Sequence, residues 1–482
     1  MSAPSGASPR TSPGRLAWAA PPAEWRTPLV WLAFVLVHMW VINVGLVVRD
    51  WSLGDLGLYR WWAATGFTND YWPLVDYEWV YPAGAFVPML VAGFAGLADG
   101  GHYPLAWLVL VSVLNAAAVA LLLRRPHGRV AALWFVAFIA LLGPVGLGRL
   151  DGLVAPLTVV ALLVALTRPR VSAALLTAGA WIKVAPGASV LPLLLASRRP
   201  VRDVVVPALA VCVVVVGTVV ALGGGANVLS FVTAQGQRDL QLESVLGTPF
   251  IVAGIWSTQV VRAYDDQIYT FEISAPGARA VADAATPLLL VAVLAVTVLL
   301  WWLRRRAGAR FWTDTALRTD FVVRGAFVLT LVLLVTNKVG SPQFVSWLAP
   351  AVAVALALGL PRWGVTAWGV LAVAGATQLV YPWMYADIVG GFPGGTFLLA
   401  GRNLAVVALL VLAVRHLVRR PAPEEGAGTG EEGAGVDDPG TGADEPGTAA
   451  DRPGTDDASG AVGGEPREEV GAGAPVVDRL QG

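Results

Sequence analysis

Apolar runs recur through the first 420 residues, at 28–48, 104–123, 130–147, 152–167, 171–196, 204–222, 284–303, 321–336, 344–360, 364–382 and 398–417. At about 1.5 Å of rise per residue, runs of this length approach or match the ~30 Å hydrocarbon core of a bilayer. Inside that core every backbone polar group must be satisfied within the chain, which leaves helices or a closed barrel. Continuous rather than alternating apolarity selects helices. The expectation is an all-α polytopic membrane protein with about 10–12 transmembrane helices. Composition points the same way, because 56% of the 482 residues are hydrophobic, only 14% are charged, and a soluble domain rarely combines the two.

The formal charge of zero conceals two opposite segments. Residues 421–482 hold 15 of the 33 acids and 3 of the 33 bases, so residues 1–420 carry +12 and the tail −12. The Gly/Ala/Pro-rich acidic tail cannot bury enough apolar surface to fold. Three segments follow: a disordered cytosolic N-terminus (1–27), a transmembrane domain (28–420) and a disordered acidic cytosolic tail (421–482). The first apolar run has no small-residue cleavage site after it, which predicts an uncleaved first helix. The segment 83–98 is apolar but short, and Pro88 interrupts it. If it crossed the membrane and 171–196 were one full span, Arg124 to Arg129 and Arg168 to Arg170 would fall outside, against the positive-inside rule. We therefore expect 83–98 to lie in the interface, and 171–196 to be a helix broken near Lys183 and Pro186 that enters from the cytosol and returns to it. Every basic loop then lies inside, both termini are cytosolic, and 49–103, 148–151, 223–283, 336–343 and 383–400 face outward from a plasma membrane. A single cysteine, Cys212, and four scattered histidines exclude a disulfide framework and a clustered His/Cys metal site.

Polar residues gather on the outward face. Eleven of the 36 residues from Trp51 to Phe86 are aromatic, about three times the chain's 9%, among Asp55, Asp70, Asp76 and Glu78, with Asp50 just before. A carboxylate can take a proton from an acceptor hydroxyl while aromatic faces stack on a sugar ring; the same residues would also make a plain interfacial belt. A second cluster runs from Gln235 through Arg238, Asp239, Gln241, Glu243 and Ser244 to Pro249. A third runs from Thr336 through Lys338, Ser341, Pro342 and Gln343 to Trp347. Lys338 lies on the face where bases are disfavoured, which an anionic ligand or a phospholipid headgroup would explain.

Lys183 is the most informative single residue, because Ala180-Trp181-Ile182-Lys183-Val184-Ala185-Pro186 puts an ammonium deep in an apolar run, where an unpaired charge costs several kcal/mol. It marks a functional site by default, unless it sits nearer the surface than drawn. Arg149 and Asp151, at the end of another run, have each other as the simplest partners. His38 reads as a packing histidine rather than a ligand.

Taken together, three stretches resemble the polyprenol-phosphate-dependent integral-membrane glycosyltransferases of the GT-C fold, and within them the bacterial family 87 group of actinobacterial mannosyltransferases and some arabinofuranosyltransferases. They are Gly54-Asp55-Leu56-Gly57-Leu58-Tyr59 with Tyr81-Pro82 downstream; Arg238-Asp239-Leu240-Gln241-Leu242-Glu243-Ser244; and Lys338 to Trp347 with its Ser-Pro-Gln-Phe core. Ile182-Lys183-Val184-Ala185-Pro186 is similar to the family's mid-chain lysine-proline segment. The resemblance covers about residues 28–417. It implies a GT-C-type bundle with interfacial helices in the first outside loop, a catalytic acid there, and a lipid-linked donor arriving sideways from the outer leaflet.

On this reading Asp55 is the general base, with Asp50 its rival. Lys183, Arg238 and Lys338 bind the donor phosphate, and Tyr59, Trp61, Gln241, Glu243 and Gln343 bind sugar or acceptor. Arg149 and Asp151 remain unassigned. The expected partners are a polyprenyl-phosphate-linked sugar, mannose favoured, a glycolipid or polysaccharide acceptor, and the bilayer itself, with no nucleic acid. Such a donor is already activated, so no nucleotide-binding loop or cofactor is needed; the acids could accept a divalent cation, but no ligand spacing demands one. A lipid-linked glycan transporter or flippase, and a non-catalytic envelope scaffold, are the competing classes.

Overall fold

The computed structural model describes residues 26–48, 50–97, 101–236, 238–265 and 270–419. The acidic tail, and all but the last two residues of the expected N-terminal segment, lie outside the described residues. The apolar runs fold as helices, in chain order α1 (Arg26–Asn43), α2 (Gly54–Asn69), α3 (Phe86–Gly93), α4 (Tyr103–Leu123), α5 (Gly128–Leu142), α6 (Leu150–Leu163), α7 (Pro169–Ile182), α8 (Val190–Ala196), α9 (Val206–Ala221), α10 (Ser230–Gly236), α11 (Thr248–Ala253), α12 (Ala278–Ala307), α13 (Arg310–Thr313), α14 (Thr315–Thr336), α15 (Ala349–Ala357), α16 (Gly364–Gln378), α17 (Tyr385–Val389) and α18 (Pro393–Val418). Among the described residues eight helices, counted with their flanking turns, are long and apolar enough to cross a membrane: Thr27–Val48, Tyr103–Leu123, Gly128–Gly146, Val201–Ala221, Ala278–Ala307, Thr315–Thr336, Gly364–Trp383 and Pro393–Val418. The apolar segments Leu150–Leu163, Ala185–Ala196 and Pro342–Ala357 are shorter. The chain is a multi-pass helical membrane protein.

Specific contacts identify the two ends of the bundle. At one end Arg125 donates to the Leu163 carbonyl (3.4 Å), the His127 amide to Ala357 (3.1 Å), Arg304 to Leu195 (3.1 Å) and Arg324 to Pro361 (2.8 Å). Arginines concentrate there, so we call it the arginine-rich end. The opposite end carries α2, α3, α10, α11 and α17, and Gly45 beyond α1 reaches it, packed against Pro144. The described part of the segment, 83–97, stays at this second end: Gly84 lies against the Trp181 carbonyl, and Arg60 donates to Leu97 O at 3.1 Å.

α7 and α8 form a hairpin rather than one span. Arg170 at the start of α7 pairs with Asp203 before α9 at 3.0 Å, so the chain between them leaves the arginine-rich end and returns to it. The fourteen residues of α7 rise about 21 Å, which stops its tip short of the far boundary of a ~30 Å core. α14 forms the centre of the bundle, with 78% of its apolar window buried, whereas α9 and α12 bury only 11% and 17% and present apolar flanks outward.

One part of the architecture departs from the all-α expectation. Within the 223–283 loop, Val261–Asp265 (β1) and Thr270–Ser274 (β2) pair as an antiparallel hairpin, Ala263 opposite Glu272. Two short runs of β-branched and aromatic residues carried that signal, but a loop read by polarity alone concealed it. Leu240 and Leu242 bind this hairpin through the Ile273 amide to Leu240 O (2.8 Å) and the Leu242 amide to Phe271 O (3.0 Å).

Candidate functional site

At Lys183 the backbone leaves the helix for an extended conformation (φ −153°, ψ 129°), and Pro186, which has no amide hydrogen to donate, follows in a short 3-10 turn. The ammonium therefore emerges at the hairpin tip. It stands 3.8 Å from Asp151 Oδ2 and over the rings of Tyr81 (4.9 Å) and Phe344 (5.3 Å). Asp151 is 1% exposed and lies in the first turn of α6, where free N–H groups and the helix dipole favour a negative charge. Trp347 Nε1 donates to its other oxygen at 2.7 Å.

Arg149, at the N-cap of α6, forms an ion pair with Asp55 in the first turn of α2 and donates to Ser52 O and Tyr381 Oη, both at 3.3 Å. The pairing of Arg149 with Asp151 that sequence proximity suggested is thus replaced by two crossed pairs. Asp55, Arg149, Asp151 and Lys183 form a row of alternating sign, drawn from three distant stretches of chain. A buried charge is tolerable only with such compensation, since removing one partner of a buried pair costs about 3–5 kcal/mol.

Lys183 also lines a cavity of about 310 Å³, shared with Lys338, Tyr81, Phe231, Leu289 and Phe344. Lys338 Nζ donates to Gly236 O at 2.8 Å, and burial, with Arg279 nearby, holds its ammonium below the usual lysine range. Of the three expected phosphate-binding cations, Lys183 and Lys338 thus share the cavity, whereas Arg238 is near enough for its charge to act on Tyr81 and Lys183 but does not line it. Burial is also the main influence on Arg238, lowering its guanidinium from its ordinary value. One wall of the cavity comes from α12, whose neighbouring residues Leu288, Leu290 and Val291 face outward, 46–66% exposed.

The remaining predicted residues occupy other places. Tyr59 is fully buried, hydrogen-bonded to Tyr81, and offers its hydroxyl to Asp55 Oδ2 at 3.5 Å, so it has no free face for a sugar. Trp61 is exposed and Gln343 half-buried, and neither lines the cavity. The side chain of Asp50 lies outside the described residues. Gln241 is a joint: its Oε1 accepts from the Gly340 amide (2.9 Å) and Ser341 Oγ (3.1 Å), while its Nε2 donates to Thr270 Oγ1 (2.9 Å). Gly340 allows this contact, since a Cβ there would come within 2.3 Å of the Ser244 backbone. Glu243 is buried beside Arg402 of α18 and accepts from Tyr385; burial pushes its carboxyl above the usual range.

Sequence reading missed Arg402, Asn403, Tyr381 and the role of Trp347. Arg402 and Asn403 interrupt an apolar run as Lys183 does, and the same argument would have flagged them. Asn403 Nδ2 donates to Ser244 O (3.2 Å) and Thr248 Oγ1 (2.7 Å), which fixes the loop that carries Arg238. Among the described residues no group of three or more His, Cys, Asp or Glu side chains gathers where it could hold a metal ion. No protein-family model matches the chain, and comparison with curated proteins and with solved structures gives no match either.

Proposed function

We propose that this protein is an integral-membrane glycosyltransferase that moves a sugar, mannose favoured, from a polyprenyl-phosphate donor to an envelope glycolipid or polysaccharide on the extracytoplasmic face. The observation that carries the reading is the cavity shared by Lys183 and Lys338, apolar-walled and bordered by a lipid-facing helix, next to a charge row that ends in Asp55. A phosphate joined to a long isoprenoid needs such a combination: fixed cations for the head and an apolar path for the chain. In the proposed reaction Asp55 removes the proton from the acceptor hydroxyl as the oxygen attacks the anomeric carbon. The bond to the phosphate oxygen breaks on the opposite face, giving inversion and free polyprenyl phosphate. Lys183, Lys338 and Arg238 stabilise the charge that develops on the leaving oxygen. Arg149 orients the Asp55 carboxylate, and Asp151 holds Lys183 in place.

In the orientation we propose, which the positive-inside rule supports, the arginine-rich end lies in the cytosol and the site outside. Membranes containing the purified protein, supplied with radiolabelled polyprenyl-phosphate mannose or the arabinose equivalent and a crude envelope glycolipid extract, test the proposal. Transfer by the wild type and its loss in Asp55→Asn is the expected result. Donor binding without consumption favours the second reading, a lipid-linked glycan transporter. The interrupted hairpin with a charge at its tip supports that alternative, because transporters build their sites from such breaks.

A further inference from the structure

A second cavity lies at the opposite end of the bundle and takes no part in the proposed reaction. It measures about 220 Å³ and is enclosed by the ends of α12 and α18, by α13 and by the start of α14. Three arginines contribute to its lining, Arg306, Arg419 and Arg310, the last also paired with Asp314 at 3.6 Å, together with His416, whose buried Nδ1 has no hydrogen-bond partner. The acid in its wall, Asp320, is already held by Arg324 through two bonds of 2.8 and 3.0 Å. The floor is apolar and includes Phe311, 1% exposed, and Phe321, 7% exposed.

The position of this cavity shows which kind of anion it suits. Trp301 and Trp302, at the same end of α12, are 44% and 42% exposed, and the guanidiniums of Arg305 and Arg306 lie over their rings at 5.1 and 5.0 Å. Half-exposed indoles stacked with arginines mark the depth of lipid headgroups. Val298 on α12 and Val411 on α18, each 53% exposed, continue outward as apolar flanks toward the hydrocarbon. A basic pocket between helix ends at headgroup depth, with apolar walls beneath, is the arrangement that recognises an anionic phospholipid. We infer that Arg306, Arg310 and Arg419 form a binding site for the phosphate headgroup of an anionic glycerophospholipid in the leaflet at the arginine-rich end. Its acyl chains run down the adjacent apolar flanks of α12 and α18. The site is independent of the glycosyltransferase reading and of which face of the membrane that end occupies.

Native mass spectrometry of the full chain, titrated with phosphatidylglycerol or with phosphatidylcholine of the same acyl composition, tests this. Phosphatidylglycerol should be retained roughly tenfold or more over phosphatidylcholine. The Arg306→Gln/Arg419→Gln double variant should lose that preference. An Arg129→Gln/Arg202→Gln pair, removing as many charges from the same end but outside the cavity, should keep it. Val418→Glu, which adds an acid to the rim without removing a contact of any arginine, should weaken retention as the double variant does. Equal retention of the two lipids, or equal loss in the Arg129/Arg202 pair, overturns the site in favour of a generally basic surface. Displacement of the lipid by glycerol 3-phosphate at equal concentration overturns the lipid in favour of a soluble phosphate.

Discussion

Arg149, Asp151 and Lys183 are buried charges that need partners at their depth, and the half-buried Asp55 completes the row as the partner of Arg149. Removing one member leaves its partner uncompensated, whereas removing both restores balance. Lys183→Gln alone is therefore expected to lower thermal stability in detergent more than the Asp151→Asn/Lys183→Gln pair does; a strictly additive double variant would refute the coupling. For Asp55→Asn, transfer should fall by about 10²–10⁴-fold, the usual contribution of a general base, measured as turnover per mole of folded protein so that stability lost with the Arg149 pair is divided out. Lys338 adds a pH signature. Its ammonium sits below the usual lysine range because it is buried, so rising pH removes this cation before an exposed lysine would lose its charge. Donor kcat/KM should fall on the alkaline side, and Lys338→Arg should move that limb upward. Sequence alone could mark Asp55, Lys183 and Lys338 by their misplacement, but not their partners. Partner choice depends on which helix ends meet, so the adjacent Arg149 and Asp151 looked like a pair and turned out to serve different ones.

At the level of elements, two loops are bound into one unit. The 238–248 stretch and the 336–343 turn meet through Gln241 and the close approach at Gly340, and the β-hairpin is fastened to the same stretch. Gly340→Ala should push these loops apart and weaken donor binding while the transmembrane helices remain intact; a raised KM with little change in kcat would show it. The hairpin also carries a titratable contact. Glu272 accepts from the Asp239 amide at 3.2 Å, and burial, with Asp239 and Asp265 close by, raises its carboxyl above the usual range. A raised carboxyl favours the folded loop at low pH and loses that advantage as pH climbs through the folded value. Protection factors of the amides in 238–265 and 270–274, taken relative to the intrinsic exchange rate at each pH, should therefore be higher near pH 5 than near pH 8, and Glu272→Gln should flatten the difference. Polarity in the sequence located these loops, but their joints were hidden, because Gln241 and Glu243 as ligands for sugar and as structural fasteners have the same composition.

The whole molecule follows from the apolar runs and the arginines between them. Those two signals suffice for the alternation of the crossing helices and for the interrupted segment at Lys183, because both rest on the cost of placing backbone or charge in hydrocarbon. Apolarity alone does not reveal which spans sit centrally, since α14 is buried while the more apolar α9 is not. The orientation has a direct test. In a Cys212→Ser background, a membrane-impermeant maleimide should label Gln259→Cys in intact cells and Ala309→Cys only after permeabilisation; the reverse pattern would invert the proposed topology.

The short hairpin also has an electrical consequence. Its tip stops about 9 Å from the boundary of a ~30 Å core, so a charge that settles beside Lys183 in an apolar-walled recess has moved through about a third of the low-dielectric thickness. At about 2.3 kcal/mol per charge per 100 mV, a third of the field is worth about 0.8 kcal/mol, roughly a fourfold change in occupancy. In the proposed orientation, with the site outside and the cell interior negative, the voltage pushes anions out of the recess, and it acts most strongly on whichever one bears the most charge. A sugar phosphodiester carries one negative charge and the phosphate monoester left behind carries up to two, so an energised membrane would expel the spent carrier more forcefully than it repels the incoming donor.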